Sequence, residues 1–320
     1  MSTATTEPTL ELHTQQFVDS LAGAPPIYTL SPADARSVLA QAQSIPIGKP
    51  SAQVQDITLP IGPTGSVQVR IVRPTTGPAG PLPVVMYFHG GGWILGDRDT
   101  HDRLIREIAV GAETAVVFVD YDRAPEARYP VAIEQAYAAT HYVAENGAGL
   151  RIDPLRLAVA GDSVGGNMAV AVTLMAKQRR DPKIGFQVLF YPVTDAGFDT
   201  PSYGRFADGP WLTRRAMEWF WDAYLPDPAA RKQPTATPLN ASPDQLTGLP
   251  EALVIVDEND VLRDEGEAYA RKLSDAGVRV TSVRYNGTIH DFVMLNALAD
   301  TPAARGAIAQ AIGALKGALG

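Results

Sequence analysis

The sequence predicts an α/β fold: a mostly parallel central sheet with helices on both faces, an N-terminal antiparallel hairpin and a helical insertion. Three observations carry this. From residue 84 onward, short apolar runs alternate with helix-like segments, the pattern of strands joined by crossover helices. The run Val84-Val85-Met86-Tyr87-Phe88 is apolar on both faces, as a central parallel strand must be. The alternation then breaks over residues 194–248, a stretch rich in Pro, Asp and aromatic residues with no clear strand.

In chain order, Leu10–Leu21 and Ser31–Gln43 read as helices, separated by Ala24-Pro25-Pro26, with Ser31 as a cap and Pro32 in the first turn. Gln53–Pro60 and Ser66–Arg73 alternate apolar and polar residues around Gly62-Pro63-Thr64-Gly65, an antiparallel hairpin. After a Pro/Gly loop over 75–83, strands are expected at 84–88, 115–119, 155–160, 184–191, 252–256 and 278–285. Helices are expected at 131–145, 167–180 and 264–276 and in the Ala/Leu-rich tail. The domain organisation that follows is an N-terminal helical cap segment (1–50), a catalytic domain (51–193 and 249–320) and a cap insertion (194–248).

The chain has 320 residues, 45% of them hydrophobic, enough for one large core plus an insertion. Its net charge of -8 argues against nucleic acid as a partner, because phosphate binding needs a basic face. Cysteine is absent, which excludes disulfides, thiolate metal sites and a cysteine nucleophile. No long apolar run suggests a membrane span, and residues 1–12 lack the basic and apolar regions of a secretory leader, so a cytoplasmic location is expected.

Gly161-Asp162-Ser163-Val164-Gly165 follows the apolar run Leu157–Ala160 and precedes a helix-like segment. In that strand–turn–helix setting a Gly-x-Ser-x-Gly pentapeptide forms a sharp elbow that lifts the serine above the sheet edge. A serine hydroxyl needs a base to take its proton and a third group to orient the base. Such partners follow in the order serine, acid, histidine. Of His13, His89, His101, His141 and His290, only His290 lies after Ser163, in a Gly-containing loop behind a strand. Candidate acids stand in Asp257-Glu258-Asn259-Asp260. Asp260 is favoured because it sits farther into the loop, although spacing alone leaves Asp257 open.

Attack by the serine creates an oxyanion, which backbone N–H donors stabilise by about 3 kcal/mol each. His89-Gly90-Gly91-Gly92-Trp93 supplies such donors directly after the buried strand. Gly91 and Gly92, with the amide of Val164, would complete a three-donor hole. No phosphate-loop pattern accompanies these glycines, so no cofactor and no metal ion are expected. Asp162, Glu126 and Arg123 read as structural polar residues around the elbow, and His89 as a residue that shapes its loop.

Together these pieces resemble the bacterial hormone-sensitive-lipase-like (family IV) esterases of the α/β-hydrolase superfamily. The shared segments are His89–Trp93, Asp120–Glu126 with Tyr129-Pro130, Gly161–Asn167, Asp260–Gly266 and His290-Asp291-Phe292, in the family's order. The resemblance implies the α/β-hydrolase fold and a serine carboxylesterase activity on short to medium acyl esters. It implies Ser163, Asp260 and His290 as catalytic residues, Gly91, Gly92 and Val164 as the oxyanion hole, and a cap over the acyl pocket. Trp93, Tyr191, Trp211 and Phe292 are candidate walls for a small apolar ester, against the alternative that they pack in the core. Relatives of this kind often form dimers, so a homodimer is a further expectation. A non-catalytic binding protein on the same fold and an amide hydrolase with the same triad are the competing functions.

The chain departs from the family's usual residues in several places. Val164 replaces a common alanine, and its methyls could narrow the pocket. Val261 replaces a common proline, and Asp122-Arg123 stands where Arg-Leu is typical. Asp291 replaces a frequent glycine, and a carboxylate there that approached the imidazole would raise its pKa.

Overall fold

The computed structural model describes residues 8–77 and 80–320. Part of the expected N-terminal segment (1–7) and two residues of the Pro/Gly loop (78 and 79) lie outside the described residues. The chain begins with helices α1 (Leu12–Ser20) and α2 (Pro32–Ala42) and then forms the hairpin β1 (Ala52–Leu59) and β2 (Val67–Pro74). The alternating part follows: β3 (Leu82–Phe88), α3 (Asp102–Ala112), β4 (Ala115–Asp120), α4 (Val131–Asn146), β5 (Ile152–Asp162), α5 (Val164–Arg179) and β6 (Phe186–Phe190). Three short helices, α6 (Pro201–Arg205), α7 (Arg214–Tyr224) and α8 (Pro243–Leu246), fill the strandless stretch. The chain then closes with β7 (Glu251–Asn259), α9 (Arg263–Asp275), β8 (Val280–Ile289) and α10 (Pro302–Leu319).

The strands form one eight-stranded sheet in the order β1-β2-β4-β3-β5-β6-β7-β8. β1 pairs antiparallel with β2 and β2 antiparallel with β4, and every later pairing is parallel. Parallel pairing requires crossover helices, which cover both faces and demand apolar side chains on both sides of the central strands. All seven residues of β3 are accordingly buried. So is α5 from Val164 to Ala176, because this helix lies between the sheet and its neighbours instead of on the surface.

Several elements depart from the sequence expectation, and three of these departures lie around the site. Helix α3 was not anticipated. Its apolar residues Leu104, Ile105, Ile108, Ala109 and Ala112 recur at helical spacing and face the core, and Asp102 and Arg103 are buried beside them. Helix α5 starts three residues earlier than the Gly165-Gly166 pair suggests, since both glycines are within the helix. β8 runs through Asn286-Gly287 to Ile289, so the expected Gly-containing loop before His290 is strand with a shifted ladder between Asp257 and Asn259. At that shift Gly287, at φ +73°, donates to Glu258 Oε2 and accepts from the Glu11 amide, which ties the N-terminal segment to the sheet. Among the described residues no helix is long and apolar enough to cross a membrane.

Candidate active site

The C-terminal ends of β3, β5, β7 and β8 bring the expected residues together. Ser163 follows β5 with φ 55° and ψ −120°, a conformation that few L-residues adopt and that costs about 1–3 kcal/mol unless the surroundings hold it. Here they do. The Ser163 amide donates to Phe190 O at 2.9 Å, and its carbonyl accepts from Val193 and Asn167. The flanking glycines are sterically required: a Cβ on Gly161 would lie 2.3 Å from Gly165 backbone atoms, and one on Gly165 would lie 2.0 Å from Phe88 O.

A buried polar cluster supports the elbow from behind. Tyr87 donates its hydroxyl to Asp162 Oδ1 at 2.8 Å, and His101 Nε2 lies 3.2 Å from Asp162 Oδ2. Burial opposes ionisation of Asp162, but the nearby His101 and these hydrogen bonds outweigh it and lower its pKa. Asp162 is thus a charged structural anchor. The other polar residues read as structural behave alike: Arg123 donates to Gly96 O, and Glu126 pairs with Arg36 of α2. His89 stacks on Tyr121 with ring centroids 4.1 Å apart and bonds through Nδ1 to Gly90 O. Burial, helped by the neighbouring His101, pushes the pKa of His89 down to about 3, which makes it a neutral loop-shaping residue.

His290 stands immediately after β8. Its Nε2 is 2.9 Å from Ser163 Oγ, and its Nδ1 is 2.8 Å from Asp260 Oδ2. Asp260 Oδ1 accepts the Leu262 amide at 3.1 Å. Burial disfavours an imidazolium at His290, but the charges of Asp260 and then Asp291 outweigh it, so the pKa is raised. Asp260 shows the converse balance: burial pushes its carboxyl up, and His290 with the donated hydrogen bonds pulls it below the usual range. The structure therefore brings Ser163, Asp260 and His290 into one hydrogen-bonded line. The alternative acid Asp257 is buried beside this line and has no bond to the imidazole ring among the described residues.

Gly91 and Gly92 adopt φ 102° and 63°, left-handed values that glycine reaches without strain. A Cβ at Gly91 would lie 2.7 Å from the Leu95 carbonyl, and one at Gly92 2.1 Å from the Phe220 ring of α7. The loop is fixed by Leu95 N–H to Gly91 O at 2.7 Å and by Tyr121 O–H to His89 O at 2.9 Å. Val164 opens α5, where a first-turn amide has no partner within the helix. These three amides thus sit on fixed backbone beside the serine.

Above the serine lies a cavity of about 410 Å³. Ser163, Gly91, Gly92, His290 and Asp291 form part of its wall. Val18, Leu21 and Leu39 from the N-terminal helices and Trp211, Met217 and Phe220 from the insertion form much of the rest. Trp211 stands where expected, and its Nε1 donates to Asp291 Oδ2 at 2.9 Å. The other three aromatic candidates are not part of the wall. Trp93 is fully buried and lies flat on Tyr224 with centroids 4.0 Å apart. Tyr191, itself buried, and His290 pack edge-to-face with ring centroids 4.8 Å apart, and Phe292 packs against Tyr191 and Tyr285. The wall-lining expected of these three gives way to packing. The Val164 side chain is fully buried outside the wall, so its methyls do not narrow the cavity. A depression of about 440 Å³ against α4, bordered by Glu134, His141 and Arg179, shares no residue with this cavity.

A family model for the alpha/beta hydrolase fold matches residues 85–294, about two thirds of the chain. The chain belongs to the α/β-hydrolase family. Relatives of this α/β hydrolase include the carboxylesterase NlhH of Mycobacterium tuberculosis, 39% identical over 287 residues that cover 89% of each chain. They also include the alpha/beta hydrolase R526 of Acanthamoeba polyphaga mimivirus, 41% identical over 91% of this chain and 83% of the relative. Among solved structures, a thermostable esterase from Pseudomonas putida ECU1011 superposes with a TM-score of 0.96 at 53% identity, covering 98% of this α/β hydrolase and 99% of the esterase.

Proposed function

We infer that this α/β hydrolase is a serine carboxylesterase of the hormone-sensitive-lipase-like group that cleaves short to medium acyl esters through an acyl-enzyme. The observation that carries the reading is the line from Ser163 Oγ to His290 Nε2 (2.9 Å) and from His290 Nδ1 to Asp260 Oδ2 (2.8 Å) at the wall of a largely apolar cavity. The esterase names of its relatives point the same way. In this reading residues 1–50 and 194–248 form the cap, and residues 51–193 with 249–320 form the catalytic body.

Each step uses atoms already in reach. Ser163 Oγ attacks the ester carbonyl carbon while His290 Nε2 takes its proton, and Asp260 stabilises the imidazolium through Nδ1–H. The carbonyl π pair moves to oxygen, where the amides of Gly91, Gly92 and Val164 receive the charge. As the intermediate collapses, the alkoxide leaves with the proton from Nε2, and the acyl group stays on Ser163. Water then repeats the sequence with His290 as base, releasing the acid and restoring the serine. The apolar wall favours hydrophobic acyl groups, and the cavity's volume of about 410 Å³ limits their length.

A rate profile across p-nitrophenyl esters from acetate to palmitate tests this reading. The expected profile peaks at short to medium chains and falls steeply for the longest. A preference for long chains that rises on emulsified substrate would overturn the cavity argument.

A further inference from the structure

Asp257 stands at the point where β7 loses register with β8, and its side chain is fully buried. One ligand atom each from Asp257, Asp260 and His290 lie within 4.8 Å of one another. The three groups differ sharply in their donors. Asp260 receives the Leu262 amide on Oδ1 and the His290 Nδ1–H on Oδ2. Among the described residues neither oxygen of Asp257 has a hydrogen-bond partner of normal geometry. Two buried carboxyls this close do not both ionise, and the charge settles on the one with hydrogen-bond donors and a cation beside it. Burial and then the Asp260 charge accordingly push the Asp257 carboxyl well above the carboxylate range, while Asp260 falls below it. The groups that face Asp257 are Asp260 from the turn before α9, His290 from the end of β8 and Tyr191 from the end of β6. The Tyr191 phenol is kept neutral by burial.

We propose that Asp257 is a proton-bearing positioning residue: its carboxylic O–H donates to the Asp260 carboxylate and fixes the rotation in which Asp260 receives His290. This rests on Asp260 being the acid of the triad, and it extends the line behind Ser163 from three groups to four. A neutral Asp257 has a definite advantage. It orients Asp260 without adding a further negative charge to those of Asp260 and Asp291 beside the imidazole, which would raise the His290 pKa more and leave less of it free to accept the serine proton.

Asn and Ala at position 257 separate a neutral donor from a charged one. Asp257→Asn keeps a donor of the same shape. The pH dependence of kcat/KM should then keep its acidic midpoint within about 0.3 units, with a plateau within about threefold of the parent. Asp257→Ala removes the donor and should lower kcat about tenfold with KM changed by less than about twofold, since substrate does not touch this residue. A fall of a unit or more in the Asp257→Asn midpoint would mean that Asp257 was charged and overturns the proposal. So would an Asp257→Ala enzyme with the parent's kcat. If the alanine variant does not fold, the asparagine midpoint alone decides. Asp260→Asn run in parallel isolates the underlying assignment: should it retain a tenth of the activity while Asp257→Asn loses about a thousandfold or more, the choice of acid itself is wrong.

Discussion

Asp291 offers a quantitative test of how the site sets the basicity of its histidine. Its Oδ1 lies 3.5 Å from His290 Nε2, and its Oδ2 is held by Trp211 Nε1. At that separation a full charge pair is worth about 5 kcal/mol at an effective dielectric of about 20, and about 1 kcal/mol in water. Asp291 lies between these limits, because its side chain is 14% exposed. We take about 1.5–3 kcal/mol, which at about 1.4 kcal/mol per unit is one to two units of imidazole pKa.

The perturbation is Asp291→Asn. Asparagine tolerates the left-handed backbone of this residue (φ 66°) and still accepts the Trp211 N–H, so the change is chiefly one of charge. The sign follows from the chemistry. In the proposed mechanism His290 must be neutral to accept the serine proton, so with its raised pKa activity should be lost as pH falls through that value. Removing the Asp291 charge lowers the pKa and extends activity toward acid. The assay is kcat/KM for p-nitrophenyl acetate from pH 5 to 10. One unit below the parent's midpoint, the variant should be about five- to tenfold faster, with plateau rates within about threefold. A midpoint that stays in place or moves to higher pH would refute the reasoning.

Two further outcomes follow from the same geometry. Asp260→Asn should lower kcat by about 10⁴-fold, measured by steady-state turnover, because asparagine leaves His290 without its counter-charge and favours the wrong tautomer. Gly165→Ala should cost about 3 kcal/mol or more in urea unfolding, because the new Cβ meets the Phe88 carbonyl at 2.0 Å and backbone on both sides prevents relief.

How far the sequence was legible depended on whether local chemistry or tertiary packing decided each feature. The parallel core was readable because β3 is apolar on both faces, which only a strand covered on both sides requires. The elbow was readable because steric need forces glycine at 161 and 165, and the histidine partner of Ser163 because His290 alone follows the serine. Helix α3 was legible in the 104, 105, 108, 109 and 112 apolar spacing and was passed over; what needed the fold was the burial of Arg103, whose charge is met by Glu107 and by the Val293 and Met294 carbonyls nearly two hundred residues away. The aromatic residues were the least readable. Trp93 and Trp211 look alike in sequence, yet stacking on Tyr224 buries one and a hydrogen bond to Asp291 places the other at the cavity. The departure at Asp291 puts a carboxyl next to His290 in the chain, but whether its carboxylate turns toward the ring needed the structure, which puts Oδ1 3.5 Å from Nε2.

The central claim is that Ser163 carries the acyl group, and covalent titration tests it most directly. The enzyme would be treated with a p-nitrophenyl alkylphosphonate, which a serine nucleophile attacks with release of nitrophenol, and analysed by intact and peptide mass spectrometry. The predicted result is one phosphonyl group per chain on the peptide containing Ser163, activity lost in proportion to labelling, and no adduct in a folded Ser163→Ala variant. Complete inactivation with the adduct on another residue, or undiminished ester turnover by Ser163→Ala, would contradict it.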